Sequence, residues 1–70
     1  MNTAHEIPTD VALLRIAEVR QMTGLSTTTI YEWGNKGMFP KQIKLGGNTV
    51  AWVKSEVQAW IRQKLEAARG

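Results

Sequence analysis

The stretch Thr23-Gly24-Leu25-Ser26-Thr27-Thr28-Thr29-Ile30-Tyr31-Glu32-Trp33 constrains this chain more than any other. Gly24 can take the left-handed backbone that a sharp corner requires. Ser26 follows two residues later and is a good helix N-cap, because its hydroxyl accepts one of the unpaired N–H groups of the first turn. Beyond it the residues divide at helical spacing into two faces. Ile30, Trp33 and Gly37 fall on one side. Thr27, Thr28, Tyr31 and Asn35 fall on the other. The chain must therefore launch a helix straight out of a tight turn. One side of that helix is apolar; the other carries short polar groups and one aromatic hydroxyl.

The residues upstream supply a partner. Ala17 to Met22 are good or tolerable helix formers. Ile16, Val19 and Met22 recur every third residue and give a short helix one apolar side. Glu18 lies in its first turn, where the helix dipole favours an anion. Val11 to Ile16 is mostly apolar and reads as a short extended lead-in. Met1 to Asp10 carries Pro8 and shows no period, so residues 1–13 are expected to form a flexible arm. His5 beside Glu6 has no second His or Cys with which to complete a metal site.

Downstream, the second helix should stop near Lys36-Gly37, with Gly37 as its C-cap and Lys36 at the negative helix end. Pro40 then biases Phe39 towards extended geometry. Gln42 to Val53 reads as a hairpin, with Gly46-Gly47 and Asn48 at the turn. Its return strand puts Val50 and Trp52 on one side, and Thr49, Ala51 and Val53 on the other. Two strands alone are barely stable, so the hairpin must lean on helices. Ser55 is placed to cap a last helix from Glu56 to about Ala68. Val57, Trp60, Ile61, Lys64, Leu65 and Ala68 form its stripe. Trp33, Trp52 and Trp60 each fall in an apolar stripe and are read as core. The order helix, turn, helix, hairpin, helix predicts an α+β, mainly helical fold of winged helix-turn-helix type over residues 14–68.

Composition narrows the function. Seventy residues make one domain at most. The chain has no cysteine and therefore no disulfide or thiolate metal site. No apolar run spans a bilayer, and the N-terminus lacks the blocks of a signal peptide, which predicts a cytoplasmic, nucleoid-associated protein without a membrane partner. Formal net charge is +3 and the pI is about 9.7, which favours a polyanionic partner. The excess is local: residues 36–54 hold Lys36, Lys41, Lys44 and Lys54 and no acid. Nothing supports an enzyme. There is one His, no phosphate-cradling loop, no paired carboxylates in an apolar setting and no cofactor motif.

A helix whose outer face carries short polar side chains can lie in a DNA major groove and touch base edges. The plainer alternative is an ordinary capped helix in a small bundle, and the stretch alone leaves both open. On the first reading the candidate DNA-binding residues are Ser26, Thr27, Thr28, Tyr31, Glu32, Asn35 and Lys36 on the helix. Lys41, Lys44, Asn48 and Thr49 join them on the hairpin. Tyr31 can hydrogen-bond a phosphate or pack on a thymine methyl; otherwise it packs against the first helix. Glu32 can accept from cytosine N4, or is simply a solvated helix residue. The hairpin lysine can lie along phosphates or in the adjacent minor groove.

One further pattern runs from residue 14 to residue 61. It comprises Val19, Thr23-Gly24-Leu25-Ser26, Thr29-Ile30-Tyr31, Gly37, Phe39-Pro40, Leu45-Gly46-Gly47, Trp52, Ser55-Glu56-Val57 and Trp60-Ile61. In this order and spacing the chain resembles the AlpA-like regulators of phages and prophages. That family is itself similar to MerR-type DNA-binding domains and small phage excisionases. The resemblance implies a sequence-specific transcriptional regulator that binds double-stranded DNA, as a dimer or a cooperative array. It also implies two alternatives: an excisionase-like recombination directionality factor, or an accessory module docking on an integrase or polymerase through the last helix. Family members often carry Arg where this chain has Thr27, Glu32 and Asn48. Three cationic positions of the family are thus replaced, one by an anion, and the resemblance implies a shallower salt dependence than in relatives.

Overall fold

Three helices and three short strands follow one another in the computed structural model, which describes residues 11–70. The elements are β1 (Leu13–Leu14), α1 (Ile16–Thr23), α2 (Thr27–Asn35), β2 (Ile43–Gly46), β3 (Thr49–Val53) and α3 (Lys54–Arg69). Most of the expected arm, with the His5-Glu6 pair, lies outside the described residues. The helix-turn-helix and hairpin follow the expected order, and the fold is mainly helical α+β of winged helix-turn-helix type.

Local chemistry sets the ends of the first two helices. The Arg15 N–H donates to Glu18 Oε1 at 2.8 Å, so the acidic first-turn residue closes the start of α1. Gly24 has φ +75°, and its N–H donates to the Arg20 carbonyl at 2.8 Å. Thr23 Oγ1 donates to the Val19 carbonyl and accepts from the Leu25 N–H, which stiffens the corner from its other side. Ser26 then caps α2 by accepting from the Thr29 N–H at 3.2 Å.

The end of α2 corrects one expectation. Gly37 does not share the apolar face of Ile30 and Trp33, because the helix stops at Asn35 and Lys36 is the C-cap. Gly37 lies beyond it with φ +76°. Its N–H donates to the Gly34 carbonyl at 3.2 Å, and the Met38 N–H donates to the Trp33 carbonyl at 2.7 Å. These two bonds form a Schellman turn, which satisfies the last carbonyls. The glycine that is buried on the apolar face is Gly34, four residues after Ile30.

The sheet has the order β1-β3-β2, antiparallel throughout. β1 was expected only as an extended lead-in; it pairs with β3, Leu13 opposite Val53 and Leu14 opposite Trp52. Leu13, placed in the arm by the sequence reading, is therefore a strand residue. With β1 on one edge and β2 on the other, β3 is central. Ala51 and Trp52 are both fully buried although they point to opposite faces, so both sides of β3 are covered at its centre. The hairpin leans on helices as its size demands, with β3 packed against α1 and α3.

α3 departs from expectation at its start. Ser55 is not its N-cap: the helix begins at Lys54, directly after the strand, and Val53 occupies the cap position. The Lys54 N–H donates to the Ala12 carbonyl at 2.8 Å, so the backbone leading into β1 does part of the work that a capping side chain would do. At the far end the helix runs to Arg69, close to the expected Ala68, and the Gly70 N–H reaches the Glu66 carbonyl at 2.8 Å. The expected apolar stripe reaches the core only in its first half. Val57 is fully buried and Trp60 and Ile61 are half-buried, while Lys64, Leu65 and Ala68 are exposed. No helix among the described residues is long and apolar enough to cross a membrane.

The core takes a residue from nearly every element: Leu14, Val19, Ile30, Phe39, Trp52 and Val57. Burying each side chain of this size contributes about 1.5–3 kcal/mol. Trp60 closes one side as a lid. Its ring meets Phe39 edge-on at 4.8 Å, and its Nε1–H donates to the Met38 carbonyl at 2.8 Å. Trp33 tilts against Trp60 at 6.2 Å, so two of the three tryptophans form the rim of the core rather than its centre.

Candidate nucleic-acid interface

The face of α2 turned away from the core is open. Ser26, Thr27, Thr28, Glu32, Asn35 and Lys36 are exposed, while Ile30 and Gly34 are buried behind them. The Ser26 cap defines where this face begins, and the Ser26 hydroxyl also donates to Thr29 Oγ1 at 3.0 Å. Ser26 is thus committed to holding the helix start. A phosphate approaching it would meet the exposed N–H groups of the first turn, which is a favourable end for an anion.

Tyr31 sits at the edge of the open face and is half-buried. It packs against the core, and its ring meets Trp52 of β3 edge-on, centroids 5.6 Å apart and planes at 68°. An aromatic pair of this geometry contributes about 0.5–1.5 kcal/mol beyond its buried area. Together with the buried Ile30 and Gly34, this contact ties α2 to the core, and the polar side chains fall on the opposite side.

The hairpin is rooted beside the same helix. A Cβ built on Gly34 would lie 3.8 Å from the Pro40 carbonyl oxygen, 3.9 Å from Lys41 Cα and 3.9 Å from Gln42 Oε1. The segment that leads into β2 thus crosses α2 beside Gly34, at a distance that leaves room for a methyl group there. Gln42, not among the expected site residues, belongs to this crossing. Its signal in the sequence was Gly34, at the i+4 position from Ile30.

Lys41 and Lys44 are exposed, the second on β2 opposite Val50. The register then shifts between Lys44 and Gly46, so Leu45 is an extra residue on β2 and the strand bulges. Gly46 pairs with Thr49, leaving Gly47 and Asn48 as the tip. Gly47 has φ +54° and Asn48 does not have a positive φ, the sign pattern of a type II′ turn. Asn48 is exposed at the tip and Thr49 is half-buried at its base. The bulge and turn bend a short, exposed edge outward, a shape suited to lying against another surface.

The residues with chemistry on these two elements are hydroxyls, two amides, one carboxylate and lysines. Such a set hydrogen-bonds and neutralises charge; it has no nucleophile–base pair that would break a covalent bond.

Comparison with known proteins follows the same outline. The family model described as prophage CP4-57 regulatory protein (AlpA) matches residues 12–65, from the backbone leading into β1 to the exposed part of α3. A protein of Enterobacteria phage P4, designated uncharacterized protein ORF88, is 49% identical over 57 residues, which are 81% of this chain and 65% of that protein. This chain thus spans just under two thirds of the length of that phage relative. A protein of Escherichia coli strain K12, named DNA-binding transcriptional activator AlpA, is 37% identical over 60 residues, covering 77% of this chain and 86% of that protein. The matched region contains the capped turn, the bulged hairpin and the strand-to-helix junction, and the chain belongs to the AlpA family of prophage regulatory proteins.

Proposed function

We propose that this protein is a transcriptional regulator of phage or prophage genes that binds double-stranded DNA, with α2 in the major groove and the hairpin beside it. The observation that carries this reading is the open face of α2. It begins at the Ser26 cap, lies opposite the buried Ile30 and Gly34, and carries mostly short polar side chains, with Glu32 and Lys36 the longer ones, so the helix can approach base edges. Lys41 and Lys44 contact phosphate, and Asn48 and Thr49 lie along the backbone or in the adjacent minor groove. The E. coli relative, named as a DNA-binding activator, supports the same reading. A bacterial cytoplasm, at the nucleoid, is where such a protein works.

One module of this size makes few contacts. The described body measures 44 × 34 × 20 Å. Copies on adjacent half-sites one duplex turn apart, about 34–36 Å, would touch if the long body axis runs along the duplex. A dimer or a cooperative row on repeated sites would add the contacts that one copy lacks.

A gel shift on DNA flanking the native gene tests the reading. Because Tyr31 also packs on Trp52, the informative change is Tyr31→Phe, which removes the hydroxyl and keeps the ring. Combined with Lys44→Ala it removes one hydrogen bond of about 1 kcal/mol and about one charge from the salt dependence. A shift unaltered by the pair would refute the assignment of this surface.

A second reading draws on α3. Leu65 is 48% exposed beyond the half-buried Ile61. An accessory module, excisionase-like in its role, would dock there on an integrase or polymerase. Leu65→Gln would then abolish the regulatory output while leaving the gel shift unchanged; on the first reading it leaves both unchanged.

A further inference from the structure

On the exposed face of α2, Thr28, Glu32 and Asn35 stand at i, i+4 and i+7, and so form one line along the helix. The line is about 10.5 Å long at roughly 1.5 Å per residue. That is the rise of about three base pairs at about 3.4 Å each. All three side chains are exposed, and none is a Lys or Arg. The chemistry of the line therefore differs from that of most major-groove readers. Guanine offers two acceptors, N7 and O6, and is read by the donors of Arg or Lys. No side chain in this line supplies that cationic fork.

Glu32 sits in the middle of the line. An ionised carboxylate only accepts hydrogen bonds. Near a phosphate it is repelled, so its favourable place is against an exocyclic amino group at the centre of the groove. Cytosine N4 and adenine N6 both supply one. Adenine also presents N7, an acceptor that a carboxylate cannot satisfy, which leaves cytosine as the better complement. Asn35 carries a donor and an acceptor side by side, the match for adenine N6 and N7. Thr28 offers a methyl for the thymine methyl or a hydroxyl for either base. The Tyr31 ring packs on Trp52 at the flank of this line.

From this arrangement we infer that Glu32 is a specificity-determining residue that selects cytosine near the middle of the run of base pairs that the line spans, with Asn35 selecting adenine next to it. The inference rests on the groove-reading proposal above. It assigns the bases that the helix recognises.

The test is selection from a randomised duplex library by the wild-type protein and by Glu32→Gln, Glu32→Arg and Asn35→Ala, each checked for an unchanged melting temperature. Wild type should enrich cytosine at one position. Glu32→Gln should switch that position to adenine, and Glu32→Arg should switch it to guanine, with other positions retained. Asn35→Ala should relax only the neighbouring position. A good bidentate contact discriminates by about 1–3 kcal/mol, so each switch should be about 5- to 150-fold. Glu32 variants that bind and enrich the wild-type sequence would overturn the base assignment. A wild-type protein that retains no duplex would overturn the groove-reading proposal itself, and this inference with it.

Discussion

Asn48→Arg isolates the contribution of the hairpin tip. Asn48 is exposed and is the second of two tip residues, between Gly47 and Thr49. Its φ is not positive, so Arg fits its backbone without strain, whereas Gly47 at φ +54° could not be replaced so freely. Surface changes of this kind leave stability within about 0.5 kcal/mol. The added guanidinium should reach one more phosphate. Each neutralised phosphate adds about 0.9 to the slope of log K against log salt. Between 50 and 200 mM salt the variant should thus lose about 3.5-fold more affinity than wild type, and bind more tightly at the low end. Fluorescence anisotropy with a labelled duplex at four or five salt concentrations measures both quantities. Lys44→Ala, on the strand below the tip, should lower the slope by a similar amount. A slope unchanged in both variants would mean that the hairpin never meets the duplex.

Two further predictions concern what holds the site in place. Gly34→Ala and Gly37→Ala should change stability in opposite directions, although they lie in one short stretch. A Cβ at Gly34 meets neighbours no closer than 3.8 Å, so Ala there should gain about 0.5–1 kcal/mol of helix preference. Gly37 has open space around it but φ +76°, so Ala there should cost about 1–2 kcal/mol from backbone conformation alone. Urea denaturation reads both, and equal signs would contradict this account of the helix end. Ser26→Ala removes the α2 cap and should cost about 1 kcal/mol, a fall in Tm of about 4–8 °C. Ser26→Asp should retain most of the stability, and equal losses in both variants would show that the cap bond matters little.

Much of the site was legible in the sequence because its signals are local. A glycine at a corner, a serine two residues later and a Gly-Gly turn between alternating residues all act within a few positions. The capped start of α2, its polar face and the hairpin tip follow from them. What could not be read depends on residues far apart in the chain. β1 is two residues long and carries no pattern of its own; its pairing with β3 joins Leu14 to Trp52. The same pairing explains why Ser55 is not the cap of α3, since the Ala12 carbonyl already accepts from the Lys54 N–H. The stripe on α3 shows which side is apolar but not whether anything stands opposite Leu65. Tyr31 was legible as a residue at the edge of the polar face. That Trp52 anchors it was not, because only the tertiary fold brings β3 under α2.

The central claim is that the exposed face of α2 and the hairpin beside it together form the surface that meets duplex DNA. Mapping backbone amide resonances during titration with the native upstream duplex tests it most directly. The account predicts shifts concentrated in Ser26 to Lys36 and in Lys41 to Thr49, with the second half of α3 unmoved. Shifts confined to residues 61–69 of α3, with α2 silent, would contradict it.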